Sequence, residues 1–313
     1  MLSRRHLRIK VLHALYEWSH NPDQTLAKGL QRLNASIDNI YRLYFLELKL
    51  LVEILRIAED EIERRKQKKL PTEEDLNPPL NFVKNGFLNW LADNNSFIKA
   101  VEQNKISWRE EREILRKIFR EFTNSEEYQQ YQRLSKPGIK DDRKVIRGLY
   151  GGFVVNSGLI HQIYEDRDIH WADDLDAAQM IVSKTMKRYN EDSDEMTPLP
   201  RLIKDKDDLD FARTLYTKVV NNSKRYEEMI REKARHWELE RIAQIDMILM
   251  KQALAELISF NEIPVKVTLN EYIELSKEYS TPKSGNFING VLDKLKDELT
   301  AEGEIRKIGR GLL

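Results

Sequence analysis

Cysteine is absent from the 313 residues. That excludes disulfides, thiolate nucleophiles and cysteine-ligated zinc, and it fits a reducing compartment such as the cytoplasm. Glycine (12) and proline (9) are scarce, too few for the many tight turns of a β-sandwich or barrel. No apolar run approaches the roughly 18 residues that a membrane span needs. The apolar stretch behind Arg4 and Arg5 is broken by His13 and Glu17, so the N-terminus does not read as a signal peptide. Excess charge is missing as well. The 52 basic and 52 acidic residues cancel, so any nucleic-acid binding must come from a local patch.

Enzyme signatures are also missing. There is no Walker-type phosphate loop and no GxGxxG, GxSxG or HExxH. His6, His13 and His20 are spaced seven apart, about 10 Å of helical rise per step. They cannot share one zinc within a helix. No catalytic residue, metal or cofactor is expected.

What remains is helical periodicity. Residues 3–20 place Ile9, Leu12, Leu15 and Tyr16 on one broad face, widened by Val11 and Trp18. Ser36 to Lys69 reads as a long helix with two apolar stripes. Ile37, Tyr41, Tyr44, Leu48, Leu51, Leu55, Ala58 and Ile62 form an a/d seam, and Ile40, Leu43, Leu50, Ile54 and Ile57 form the second. A helix apolar on two sides belongs inside a bundle. Its basic end, Arg64 to Lys69, suits either a solvated helix terminus or RNA contact. Leu70 to Asn81 is a Pro-rich loop, and a helical segment runs on to Leu91. Ser107 and Glu110 have capping-box spacing and open the next helix. Glu191 to Pro200, EDSDEMTPLP, reads as an exposed linker.

Residues 142–182 and 208–248 align without gaps at an offset of 66. Asp142 matches Asp208, Leu149-Tyr150 matches Leu215-Tyr216, and His170-Trp171 matches His236-Trp237. This is either a duplicated helix pair closed by a tryptophan or chance similarity between helices.

Two constellations suit RNA. Arg4, Arg5 and Arg8 fall within about 100° of one another on a helix. Tyr16 lies further along that side, and no acid precedes Glu17. Guanidiniums clamp phosphates and a ring stacks a base; an ordinary cationic terminus with a core tyrosine fits equally. The second is Ser284 to Leu295. Ser284 can cap a helix whose free N–H groups attract an anion, with Phe287 in the first turn. Phe287 either stacks a base or belongs to the core with Val291 and Leu292.

Three segments resemble the NusB family of transcription antitermination factors: SRRHLRIKVLHALYEW (Ser3 to Trp18), DLDFARTLYTKVVNN (Asp208 to Asn222), and Trp237 to Leu295, including NEIPVKVTLNEYIELSKEY and SGNFINGVLDKL. They cover about a third of the chain, at its two ends. The resemblance implies an all-α fold of two packed helical subdomains, here enlarged by extra helices and the possible duplicated pair. The expected organisation is an N-terminal helical region over 1–200 and a NusB-like core over 201–313.

The resemblance also implies binding of boxA-type single-stranded RNA together with the ribosomal protein NusE, within the transcription elongation complex and without catalysis. It assigns Arg4, Arg5, Arg8, Tyr16, Lys283, Ser284 and Phe287 to RNA, and Asp246 and Phe211 to the partner protein. His6 interrupts the arginine cluster, and Lys283 stands where an acid can occur. A protein–protein adaptor that has kept the fold but lost RNA binding is the alternative.

Overall fold

The computed structural model describes residues 2–21, 23–202, 206–234 and 242–312. Among them are fifteen α-helices and no strand. The first, α1, spans Arg4–His20. Ser3 caps it: its Oγ accepts from the His6 N–H, and His6 Nδ1 accepts from the Ser3 N–H at 3.2 Å. A histidine thus fills the place usually taken by Glu or Gln in a capping box, and the first turn contains no acid. The long helix α2 spans Leu26–Lys66, starting well before Ser36. Leu48, Leu51 and Leu55 of its a/d seam are buried, as are Leu43, Leu50 and Ile54 of the second stripe. The chain divides into two compact units, Asp38–Leu202 and Leu2–Ile37 with the residues after 202. Residues 2–37 thus group with the residues after 202, whereas the sequence expectation kept them with the N-terminal region.

The unit over Asp38–Leu202 contains most of α2 and eight further helices. These are α3 (Glu73–Leu76), α4 (Gly86–Asp93), α5 (Asn95–Gln103), α6 (Arg112–Thr123), α7 (Glu126–Gln132), α8 (Ile139–Gly148), α9 (Gly158–Arg167) and α10 (Leu175–Arg188). A π-helical turn extends α8 over Leu149–Val154, where the Val155 N–H reaches back to the Tyr150 carbonyl at 2.8 Å. The sequence expectation of a capping box at Ser107 is corrected: Ser107 Oγ accepts from the Arg109 N–H two residues on, and α6 starts only at Arg112. A short side chain bonding its own turn competes with the helix in this way. The expected linker, Glu191 to Pro200, is exposed over most of its side chains, but its backbone is tied down. Trp90 Nε1 donates to the Asp194 carbonyl, Asn94 Nδ2 to the Thr197 carbonyl and the Asn95 N–H to the Glu195 carbonyl, all within 2.9 Å. The segment is strapped to α4 and α5, with Leu199 buried.

The other unit combines α1 and the start of α2 with α11 (Lys206–Asn221), α12 (Ser223–Lys233), α13 (Gln244–Ser259), α14 (Val265–Tyr279) and α15 (Ser284–Ala301). Helix α1 packs on α11 and α13, and α14 and α15 cover the rest of α13. Eleven of the sixteen residues of α13 are buried, which makes it the centre of this unit. Shifted by 66 residues, α8 with its π turn, α9 and α10 fall on α11, α12 and α13. The internal repeat is thus a repeat of helices, although His236 and Trp237 lie outside the described residues.

The repeated tyrosines dock differently, each on the part of α2 in its own unit. Tyr216 approaches Gly29 so closely that a Cβ there would strike its hydroxyl. Tyr150 Oη donates to Glu47 Oε2 at 2.7 Å, deep in the core. Burial, only partly offset by hydrogen bonds, pushes the Glu47 carboxyl up to about 8. The folded chain therefore retains a proton that the unfolded chain releases above its ordinary value of 4.5. Raising the pH from about 4.5 towards 8 costs stability, at most about 1.4 kcal/mol per pH unit. Glu47→Gln should remove that slope and be more stable than the wild type at the alkaline end. Urea unfolding midpoints of both proteins across this range check it.

Candidate nucleic-acid interface

The three arginines of α1 divide into two environments. Arg4 and Arg5 keep 43% and 40% of their side chains exposed. Each has a loose carboxylate partner, Asp208 at 4.0 Å and Glu278 at 3.9 Å. Exposed pairs of this kind contribute about 0–1 kcal/mol, so both guanidiniums can exchange their partners for phosphates. Arg8 is different, and its expected phosphate contact is corrected. Its side chain is 4% exposed and forms a fork on Glu256: Nε to Oε2 at 2.8 Å and NH2 to Oε1 at 2.7 Å. Burial opposes the charge, but the hydrogen bonds and charge of Glu256 outweigh it and hold the guanidinium above its usual range. Glu256, fully buried, also accepts from Thr268 Oγ1 at 2.8 Å and Tyr272 Oη at 3.0 Å. Arg8 is therefore the bolt that fixes α1 to α13 and α14.

Tyr16 sits off the apolar face and is 42% exposed, its ring tilted against His20 at 4.6 Å. It is free to stack on one side. At the other constellation, Lys283 is exposed, whereas Ser284 and Phe287 are buried. Ser284 is not the cap; it is the first helical residue of α15, and Lys283 occupies the cap position without a side-chain bond. The Ser284 hydroxyl donates to Asp246 Oδ2 at 2.8 Å and accepts from the Thr281 N–H at 3.2 Å. Phe287 packs inward with Val291 and Leu292, so stacking on RNA is corrected to a core role.

The residues assigned to a partner protein are also turned inward. The ring of Phe211 is buried, 4.9 Å from Phe260, with the guanidiniums of Arg4 and Arg8 over it at 5.2 and 5.5 Å. Asp246 is buried with Oδ2 on Ser284, and its Oδ1 has no hydrogen-bond partner among the described residues.

Helix α1 reaches the end of α14, the helix that precedes the second constellation. His13 meets Tyr279 edge-on at 5.7 Å, and Arg5 reaches towards Glu278; both partners lie just before the turn holding Lys283. At the other end of α1, Gln244 Nε2 donates to Ser19 Oγ at 2.7 Å, two residues before Asp246 bonds Ser284. The start of α13 thus touches both the end of α1 and the start of α15. Glu256 escaped the sequence reading. Its signal was a carboxylate in the apolar run of α13, which demands a buried cation.

The profile of the NusB family matches residues 174–297, from α10 through most of α15. The chain is 36% identical over 143 residues to the transcription antitermination protein NusB of Salinibacter ruber, covering 89% of that relative and 44% of this chain. This chain belongs to the NusB family. Relatives of the same name from Chloroherpeton thalassium (41% over 104 residues) and Natranaerobius thermophilus (30% over 89) are matched over 49% and 64% of their lengths, and over 33% and 28% of this chain. No solved structure matches. No helix among the described residues is long and apolar enough to cross a membrane. The family profile does not reach α1, so the link between its arginines and the NusB core rests on the packing described above.

Two substitutions separate fold from surface. Arg8→Ala strands Glu256 in the core and should cost about 3–5 kcal/mol, whereas Arg4→Ala with Arg5→Ala should cost about 1 kcal/mol or less. Thermal or urea unfolding of the two variants distinguishes them; equal losses would show that Arg8 is not the bolt. Ser284→Ala leaves buried Asp246 without its donor and should cost about 1–3 kcal/mol, read the same way.

Proposed function

We propose that this NusB-family chain is a transcription antitermination factor that binds boxA-type single-stranded RNA together with the ribosomal protein NusE. The observation that carries the reading is the surface of α1. Arg4 and Arg5 are exposed and loosely paired, Tyr16 presents a ring, and the exposed Lys283 follows a helix that packs against α1. The acid-free first turn adds the positive end of the helix dipole to these charges. Cations hold the phosphates and the tyrosine stacks a base. Arg8, Ser284 and Phe287 support this surface from beneath, and Phe211 and Asp246 hold the packing behind it. Such a surface positions a strand and performs no covalent chemistry.

Arg4, Arg5 and Lys283 together give a log–log salt slope near −2, at about −0.7 per phosphate contact on a single strand. Replacing both arginines by Gln should flatten it by about 1. Gel shifts with a boxA-like oligonucleotide, with and without the ribosomal protein, measure this. Capture of the ribosomal protein with no RNA shift in either form would replace the proposal with the adaptor reading.

A further inference from the structure

The unit over Asp38–Leu202 carries a concentration of unneutralised charge that the reading above does not use. A cavity of about 430 Å³ opens between α8 and α10 and is lined by Lys140, Arg143, Lys144, Arg147 and Lys187, with Asp141 and Met186. Four of the cations stand at i, i+3, i+4 and i+7 of α8. They share an arc of about 100° and a rise of about 10 Å. Lys187 comes from α10. No ion pair among the described residues engages any of the five. Some other cations of this unit do sit beside carboxylates, as in Arg56–Glu59, Arg64–Glu61, Lys66–Glu63 and Arg116–Glu113. The one acid at the cavity, Asp141, is committed to the helix start, where its Oδ2 accepts from the Gly138 N–H at 2.9 Å. Arg143 is aimed across the cleft, its NH1 donating to the Lys187 carbonyl at 3.1 Å.

The internal repeat shows that three of these five charges are particular to the first copy, since Lys140 and Arg147 fall on Lys206 and Arg213. At the offset of 66, Arg143, Lys144 and Lys187 correspond to Leu209, Asp210 and Ala253. Ala253 is fully buried, whereas Lys187 is exposed. Arg147 corresponds to Arg213, which in its own copy is engaged by Asn34 at 2.9 Å and Asp210 at 3.9 Å. The same helix pair thus presents five cations without an ion pair among the described residues in one copy, two of them bonded to carbonyls, and in the other an arginine engaged by Asn34 and Asp210.

We infer that the α8–α10 cleft is a second RNA-binding surface, which takes the phosphate backbone of the transcript outside the segment held by α1. The inference rests on the RNA-binding reading. Cations spaced about one helical turn apart, five of them against the single carboxylate of Asp141, suit a chain of phosphates. The cleft supplies no aromatic ring to stack a base, so contact there is to the backbone and independent of sequence.

The test uses the full chain and two RNAs, a short boxA-like oligonucleotide and the same sequence extended at both ends by unstructured nucleotides. The wild type should bind the extended RNA more tightly and with a steeper salt slope. The variant with Lys140, Arg143, Lys144, Arg147 and Lys187 all replaced by Gln should lose that advantage, its slope on the extended RNA flattening by about 3.5, while binding the short RNA as before. Lys140→Gln with Lys144→Gln changes only exposed side chains and should flatten the slope by about 1, which guards against misfolding of the larger variant. If the wild type binds both RNAs equally, or the variants keep its slope on the extended one, the second surface is refuted and the α1 reading stands. If the wild type binds neither RNA, the α1 reading falls, and this inference with it.

Discussion

The C-terminal unit depends on one buried ion pair. Arg8 and Glu256 have lost their water, and a charge removed from water is tolerated only when every hydrogen-bonding atom finds a partner. Here the fork of Arg8 takes both carboxylate oxygens, and Thr268 and Tyr272 take the lone pairs that remain. Because the guanidinium is planar and its donors are fixed, this geometry is met at one rotation and one depth of α1 against α13 and α14. A purely apolar contact would let the helix slide by part of a turn. The network thereby sets where the neighbouring side chains of α1 emerge, including Arg4, Arg5 and Tyr16. Charge inside the protein determines the position of charge on its surface.

Much of this architecture was legible from periodicity. The two stripes of α2, the first helix and the 66-residue repeat all follow from where apolar residues recur, and burial of both stripes required no more than that pattern. The site was less legible. A helical wheel fixes azimuth and says nothing of depth, so Arg8 looked equivalent to Arg4 and Arg5 when it lies under two other helices. Phe287 and Ser284 failed for a related reason: a residue in the first turn of a helix is exposed only if nothing covers that turn, and the start of α13 covers this one. The acidic stretch near residue 195 misled through composition, since Pro and charge mark a loop without revealing what its carbonyls bond. The resemblance to the NusB family located the right helices and could not give the depth of each side chain.

The repeat shows how one pattern of helices meets two separate sets of constraints. Tyr150 and Tyr216 occupy the same place in their copies, and each docks on α2. One meets a carboxyl group that burial keeps largely protonated near neutrality, the other a glycine that gives it room. Neither solution transfers to the other copy. A carboxylate at position 29 would collide with the ring of Tyr216, and a glycine at position 47 would leave the hydroxyl of Tyr150 without its acceptor in a dry core.

The strap near residue 195 has a bearing on how the protein is cut. Proteases need several consecutive residues to leave the surface and extend into their clefts, and loops with few backbone bonds are nicked first. An acidic, proline-containing stretch next to a unit boundary looks like the natural place to trim this chain. Three of its carbonyls, at Asp194, Glu195 and Thr197, are instead held by Trp90, Asn95 and Asn94. Peeling them away would strip three donors of their partners at once, those of buried Trp90 and Asn94 among them, so limited digestion would spare this segment, and fragments designed to end there would lose the clasp that closes α4 and α5.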